Sequence, residues 1–196
     1  MIGILLAAGF SRRFGSQHKL LQVLHDKEII AVHAARNLLA ALPVAIAVVR
    51  EDQSELAAKL RQTGIIVIHC PAQKTDMADS LIAAVQTAAE FSAAADGYVI
   101  ALADMPFIQP NTISKVANAI QSGAKIAMPS YQGKRGHPVG FAAKFYPELI
   151  QLSGDQGASA IIQRHAALLT VIETEDAGVI ADIDTQEDFK RHSSRD

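Results

Sequence analysis

At 196 residues the chain is long for one domain and short for two, and about 70% of its unfolded surface is available for burial in a core. Its apolar fraction of 49% includes no Trp and only 5% aromatic residues, so the core must be built from Ala, Leu, Ile and Val, which suits sheets covered by helices. A formal net charge of -2 excludes a global pull toward nucleic acid or anionic membrane, and the single Cys70 excludes an internal disulfide or a cysteine-based zinc cluster.

The first apolar run, Ile2 to Ala7, is too short to span a bilayer. No basic stretch precedes it and no small-residue cleavage region follows, so a buried first strand of a cytoplasmic protein is expected. Ile29 to Leu42 then reads as a helix, Val44 to Val49 as a strand, Glu55 to Gln62 as a helix and Ile65 to His69 as a strand. Met77 to Phe91 (helix), Tyr98 to Leu102 (strand) and Thr112 to Ser122 (helix) continue the alternation. Continuous apolar strands separated by helices predict an α/β fold whose mostly parallel sheet has helices on both faces, with ligands at the carboxyl ends of the strands. After Ile126 the turn-rich stretch PSYQGKRGHPVGF is expected as a ribbon or loop folded over the sheet. A short helix over Phe145 to Leu152, a turn opening a helix over Gly154 to Arg164, a strand over Leu168 to Ile172 and a last helix over Thr185 to His192 complete the pattern. No break in composition marks a second domain, so residues 1–196 are expected to form one, with only the final HSSRD fraying.

Chemistry concentrates where the strands end. The first strand runs into Ala7-Ala8-Gly9, and Ser11, Arg12, Arg13, Gly15 and Lys19 follow within a single turn. Small residues let backbone N–H groups approach phosphate oxygens, and three cations offset a polyphosphate's charge. Many strand-to-helix turns need a glycine for shape alone; three cations beside it in a near-neutral chain favour phosphate binding. The familiar labels fail. Phe10 and Ser11 after Gly9 break the dinucleotide fingerprint, and five residues between Gly9 and Gly15 break the P-loop. Arg13 stands where the nucleophile elbow of a serine hydrolase requires glycine.

The strand YVIALADMP delivers Asp104 at its carboxyl end, a suitable Mg²⁺ ligand that would serve equally in an Asx turn before Pro106. In ADIDT, Asp182 and Asp184 project from one side of an extended backbone, so either completes a metal site, while Asp184 or Thr185 also suits an N-cap. Gly133-Lys134-Arg135-Gly136-His137-Pro138 gathers donors for an anionic or pterin-like acceptor, with a solvated basic hairpin as the bland alternative. Gly154-Asp155-Gln156-Gly157 acts with it or is a plain turn. The remaining histidines, His18 among them, show no metal-ligand spacing, and Cys70, followed by Pro71, reads as a structural thiol.

Together, LAAGFSRRFGSQHKLL, TDMADSL, LADMP, GKRGHPVGF, GDQGA and DIDTQEDF resemble the MobA-like nucleotidyltransferases almost end to end, and most closely their molybdenum cofactor cytidylyltransferase (MocA) branch. The resemblance implies a Rossmann-like nucleotidyltransferase fold in which Ala7, Ala8, Gly9, Arg13 and Lys19 contact the nucleotide and Ser80 lies near base or ribose. It implies Mg²⁺ held by Asp104 and by Asp184 rather than Asp182, and an acceptor side lined by Arg135, Gly136, His137 and Asp155. Ala8 favours CTP, since the guanylyl branch, which uses GTP, carries Ala-Gly-Gly. The implied reaction is attack by the terminal phosphate of molybdopterin on the α-phosphorus of CTP. Arg13, Lys19 and Mg²⁺ then stabilise charge, no general base is needed, and an apo-molybdoenzyme is the eventual recipient. Departures from the family pattern are the long spacer Ser16-Gln17-His18 before Lys19, Asp76 before Met77, Ser159 after Gly157-Ala158, and Gln186 for a common proline. Rival readings are a guanylyl- or sugar-phosphate nucleotidyltransferase of the same fold and a noncatalytic carrier of the cofactor.

Overall fold

The computed structural model describes residues 1–9, 14, 18–71, 77–154 and 157–193. Within them, β1 (Ile2–Leu6), α1 (Ile30–Ala41), β2 (Ala45–Arg50), α2 (Ser54–Arg61), β3 (Ile66–Cys70), α3 (Met77–Ala88), β4 (Gly97–Leu102), α4 (Pro110–Gln121) and β5 (Ile126–Tyr131) alternate in sequence. Each helix arises where apolar residues recur at helical spacing. In α4, Pro110 presets the first turn, and Ile113, Val116, Ala117 and Ile120 form one buried stripe.

The strands form one sheet in the order β3-β2-β1-β4-β7-β5. Here β7 is Val139–Ala142, antiparallel to both β4 and β5, while β1, β2, β3 and β4 pair in parallel. β6 (Lys134–Arg135) pairs with the far end of β5, and β8 (Leu169–Glu173) runs parallel along the other edge of β5. PSYQGKRGHPVGF therefore lies in the plane of the sheet and not over it. Pro129 and Ser130 belong to β5, and Gly136 to Pro138 form a bulge between β6 and β7, with Gly136 N donating to Pro129 O at 2.9 Å. The apolar content of this stretch, Val139 and Phe141 above all, is what draws it into the core.

Alternation along the strands divides the core into two layers. Leu5, Ala47, Val49, Val99 and Ala101 pack with α1, α2 and α4 on one face, whereas Ile2, Ile4, Ile46, Val48 and Ile100 pack with α3, α5 (Tyr146–Leu149) and α6 (Ser159–Arg164) on the other. The expected helix from Phe145 to Leu152 is shorter: a 3₁₀ turn takes Ala143–Phe145 at its start, and α5 ends at Leu149 with Ile150 as its C-cap. α7 (Gln186–Ser193) closes the described chain, and among the described residues no helix is long and apolar enough to cross a membrane.

Two antiparallel steps, β4 to β7 and β7 to β5, restore the direction of β4 in β5. Consequently the carboxyl ends of β1, β2, β3, β4, β5 and β8 share one edge. β1 lies between β2 and β4, so connections leave it in opposite directions and open a crevice at its carboxyl end.

Candidate active site

Two short hydrogen bonds fix the floor of that crevice: Ala7 N donates to Val48 O and Ala103 N to Leu6 O, both at 3.0 Å. They carry the sheet one residue beyond its strands, so Ala8 and Gly9 leave from one side and Asp104 from the other. Ala7 is buried, Ala8 half-buried and Gly9 exposed.

Lys19 enters from the β1 to α1 connection. Its 3₁₀ turn (Lys19–Leu21) buries Leu20 among the residues of the α1 layer, which drags the lysine stem inward until Lys19 is only 8% exposed. The ammonium lies 2.7 Å from Asp104 Oδ2 and 3.0 Å from Asp184 Oδ1. Burial works against the charge of Lys19, but the two carboxylates outweigh it and hold its pKa above the ordinary lysine value. Among the described residues, the carboxylates of Asp104 and Asp184 share the Lys19 ammonium.

Asp184 arrives on a strap, residues 174–184, that crosses the ends of several strands. Asp176 is 4% exposed and accepts from Gln109 N (2.8 Å), Thr112 Oγ1 (2.7 Å) and Gly178 N (3.0 Å), so a buried carboxylate closes the N-terminal end of α4. Gly178 follows because a Cβ there would stand 2.2 Å from Phe107 O, and Gly136 is required for the same reason, 2.0 Å from Val179 O. His137 N donates to Val179 O at 2.9 Å, and Ile183 N to Asp104 O at 3.0 Å. That last bond sets Asp184 beside Asp104. Asp182, by contrast, is exposed. Thr185 caps α7: its Oγ1 accepts from Asp188 N at 3.1 Å while Asp188 Oδ2 accepts from Thr185 N at 2.9 Å.

His137 precedes a cis peptide bond to Pro138. Burial holds the His137 pKa below the ordinary histidine value, although the charges of Asp104 and Asp182 oppose it, and its buried Nδ1 has no hydrogen-bond partner among the described residues. Arg135, two residues earlier, is exposed, and Gly136 is buried between them. Ser80 is 6% exposed in the first turn of α3. Ala78 N donates to Gly154 O at 3.3 Å, which brings the first turn of α3 against Gly154. Ser11, Arg12, Arg13 and Asp155 lie outside the described residues.

Two further residues shape this site, and neither is among the candidates that the sequence motifs single out. Asp176 builds the strap, and its signal was the Asp-x-Gly spacing of an Asx turn. Asn37 on α1 donates through Nδ2 to Pro106 O (2.9 Å) and Ile108 O (3.1 Å), tethering the loop behind Asp104, and nothing in its helical surroundings marked it.

A model of the MobA-like NTP transferase domain matches residues 3–168. The chain belongs to this family. It is 30% identical over 199 residues to "Purine catabolism protein PucB" of Bacillus subtilis (strain 168), covering 96% of this chain and 94% of that one. The structure of Rv0371c from Mycobacterium tuberculosis H37Rv superposes with a TM-score of 0.85 at 25% identity, covering 99% of this chain and 97% of the other. A complex of Rv0371c with manganese superposes with a TM-score of 0.80 at 23% identity, over 100% and 98% of the two chains. This MobA-like nucleotidyltransferase therefore has the Rossmann-like sheet of its relatives, and the crevice between β1 and β4 is where its fold places a ligand. Among the described residues no group of three or more His, Cys, Asp or Glu is arranged to hold a metal through protein ligands alone.

Proposed function

We propose that this nucleotidyltransferase transfers CMP from CTP to the terminal phosphate of a molybdopterin-type acceptor, releasing pyrophosphate, with Mg²⁺ bound between substrate phosphates and the carboxylates of Asp104 and Asp184. The observation that carries the reading is the meeting of Lys19, Asp104 and Asp184 at the carboxyl end of the central strands. The donor set fits the ion. Two hard carboxylate oxygens converging on one cation are the protein share that Mg²⁺ commonly takes, phosphates and waters supplying the rest. Asp184 is preferred to Asp182 because it faces Asp104 across the ammonium, while Asp182 is exposed.

In this reading Ala7, Ala8 and Gly9 offer backbone to the nucleotide, Ser11, Arg12 and Arg13 gather about its phosphates, and Ser80 lies near base or ribose. Ala8 in the first turn supports cytidine. Arg135, Gly136, His137 and Asp155 line the acceptor side. A neutral His137 with an unpartnered nitrogen is suited to orient a polar acceptor without adding charge. The acceptor's phosphate oxygen is anionic at neutral pH, so no side chain has to remove a proton. A bond forms from that oxygen to the α-phosphorus as the bond to the pyrophosphate oxygen breaks, and Lys19 and Arg13 offset the charge that develops. Bound Mg²⁺ would supply further charge neutralisation on the phosphates. The Bacillus relative bears a purine-catabolism name, and a molybdenum hydroxylase acting on purines is a fitting recipient for the modified cofactor.

Incubation with molybdopterin, Mg²⁺ and either CTP or GTP, followed by mass analysis, tests the proposal. A cytidylylated pterin is expected. A guanylylated product overturns the assignment of base, product formed only when a sugar phosphate replaces the pterin in a parallel incubation overturns that of the acceptor, and pterin binding with no product from either nucleotide makes the protein a carrier.

A further inference from the structure

One cation already stands between the two carboxylates assigned to the metal. The Lys19 ammonium is 2.7 Å from Asp104 and 3.0 Å from Asp184, both charge-assisted hydrogen-bond lengths, and the residue is only 8% exposed. Mg²⁺ bound to the same oxygens needs contacts of about 2.0–2.1 Å and cannot share that space with the ammonium. A free ion would have to break both ion pairs and leave a buried ammonium with no anion beside it, which is strongly unfavourable. A polyphosphate changes the balance. Its oxygens receive the displaced ammonium, while the carboxylate oxygens that the ammonium occupied receive the metal.

We infer that Lys19 is a resident counter-ion for the Asp104 and Asp184 pair, so that the site takes up the metal–triphosphate chelate as one ligand and discriminates against the free divalent ion. The inference rests on the reading of this pair as the metal site. Metal and nucleotide binding are then positively coupled, because each removes the obstacle the other meets. The side chain that stabilises phosphate charge during the reaction thus also keeps the empty carboxylate pair from repelling itself apart.

The test is protein-bound Mn²⁺, measured by ultrafiltration as the ion retained with the protein above a protein-free control holding the same analogue, with and without the α,β-methylene analogue of CTP. The wild-type protein is expected to bind Mn²⁺ about tenfold or more tightly with the analogue present. Lys19→Met, which keeps the stem and removes the charge, is expected to bind Mn²⁺ tightly without nucleotide and to lose that affinity when Asp104→Asn is added. A folded Lys19→Met protein that binds Mn²⁺ no better than wild type overturns the inference. If that variant does not fold, equal Mn²⁺ affinity of the wild type with and without the analogue overturns it as well. Failure of the underlying metal assignment has a separate signature: Asp104→Asn alone would leave Mn²⁺ binding in the presence of the analogue unchanged.

Discussion

Lys19 illustrates how a residue acquires a second role from its surroundings. The sequence reading placed it near phosphates, one cation among three; the structure adds two carboxylates from distant parts of the chain, Asp184 lying 165 positions away. That contact was not legible, because nothing local to Lys19 announces a partner so far along the sequence. The choice between Asp182 and Asp184 was equally open in an extended Asp-Ile-Asp, and a backbone bond from Ile183 to Asp104 decides which carboxylate meets the lysine. An asymmetric pair of mutants follows. Asp184→Ala is expected to lower turnover by about a hundredfold or more, on the scale of removing one group that stabilises transition-state charge. Asp182→Ala should stay within a few-fold of wild type. Steady-state pyrophosphate release measures both, and equal losses would contradict the placement.

At the level of elements, β1, β2, β4 and the long helices were readable because their apolar patterns coincide with burial, whereas β3 and β8 carry the same apolar signal on partly exposed strands. PSYQGKRGHPVGF departs from the expected ribbon or loop over the sheet for a physical reason: its glycines and basic residues are turn signals, yet buried Val139 and Phe141 carry its end into the sheet as β7. The strap carrying Asp184 was invisible as a unit, since it is held by tertiary hydrogen bonds and close backbone approach. Gly178→Ala puts a methyl group against Phe107 O, 2.2 Å away in the present backbone, and should cost about 1–3 kcal/mol. A thermal melt would show the lowered midpoint; an unchanged one would mean the strap has room to move. Thr185, one of the two N-cap candidates that the sequence offered beside Asp184, should cost about 1 kcal/mol when replaced by alanine. Urea denaturation checks this, and Thr185→Ser should restore most of the loss because the hydroxyl is what matters.

Across the whole molecule, burial holds the pKa values of His18 and His137 below the ordinary 6.5. The unfolded chain therefore binds more protons than the native one between those lowered values and 6.5. Stability is complete above pH 6.5 and declines as the pH falls through it, before carboxylates become involved. Asp52, Glu148 and Asp188, lowered by Arg50, His165 and Thr185 respectively, act only in the more acid range, where unfolded carboxyl groups take up protons. Melting midpoints at pH 7.5 and 5.5 should differ, the acid value being lower, and His18→Leu should reduce the difference. A midpoint that does not change across this interval would contradict the buried, neutral histidines.

The account as a whole depends on catalysis at the crevice between β1 and β4, where Asp104 faces Lys19 and Asp184. The most direct test is pyrophosphate release from CTP with Mg²⁺ and molybdopterin, compared between wild type and Asp104→Ala after circular dichroism has shown both to be folded. A loss of several orders of magnitude in the variant is the predicted result; near-wild-type release from a folded Asp104→Ala protein would contradict it.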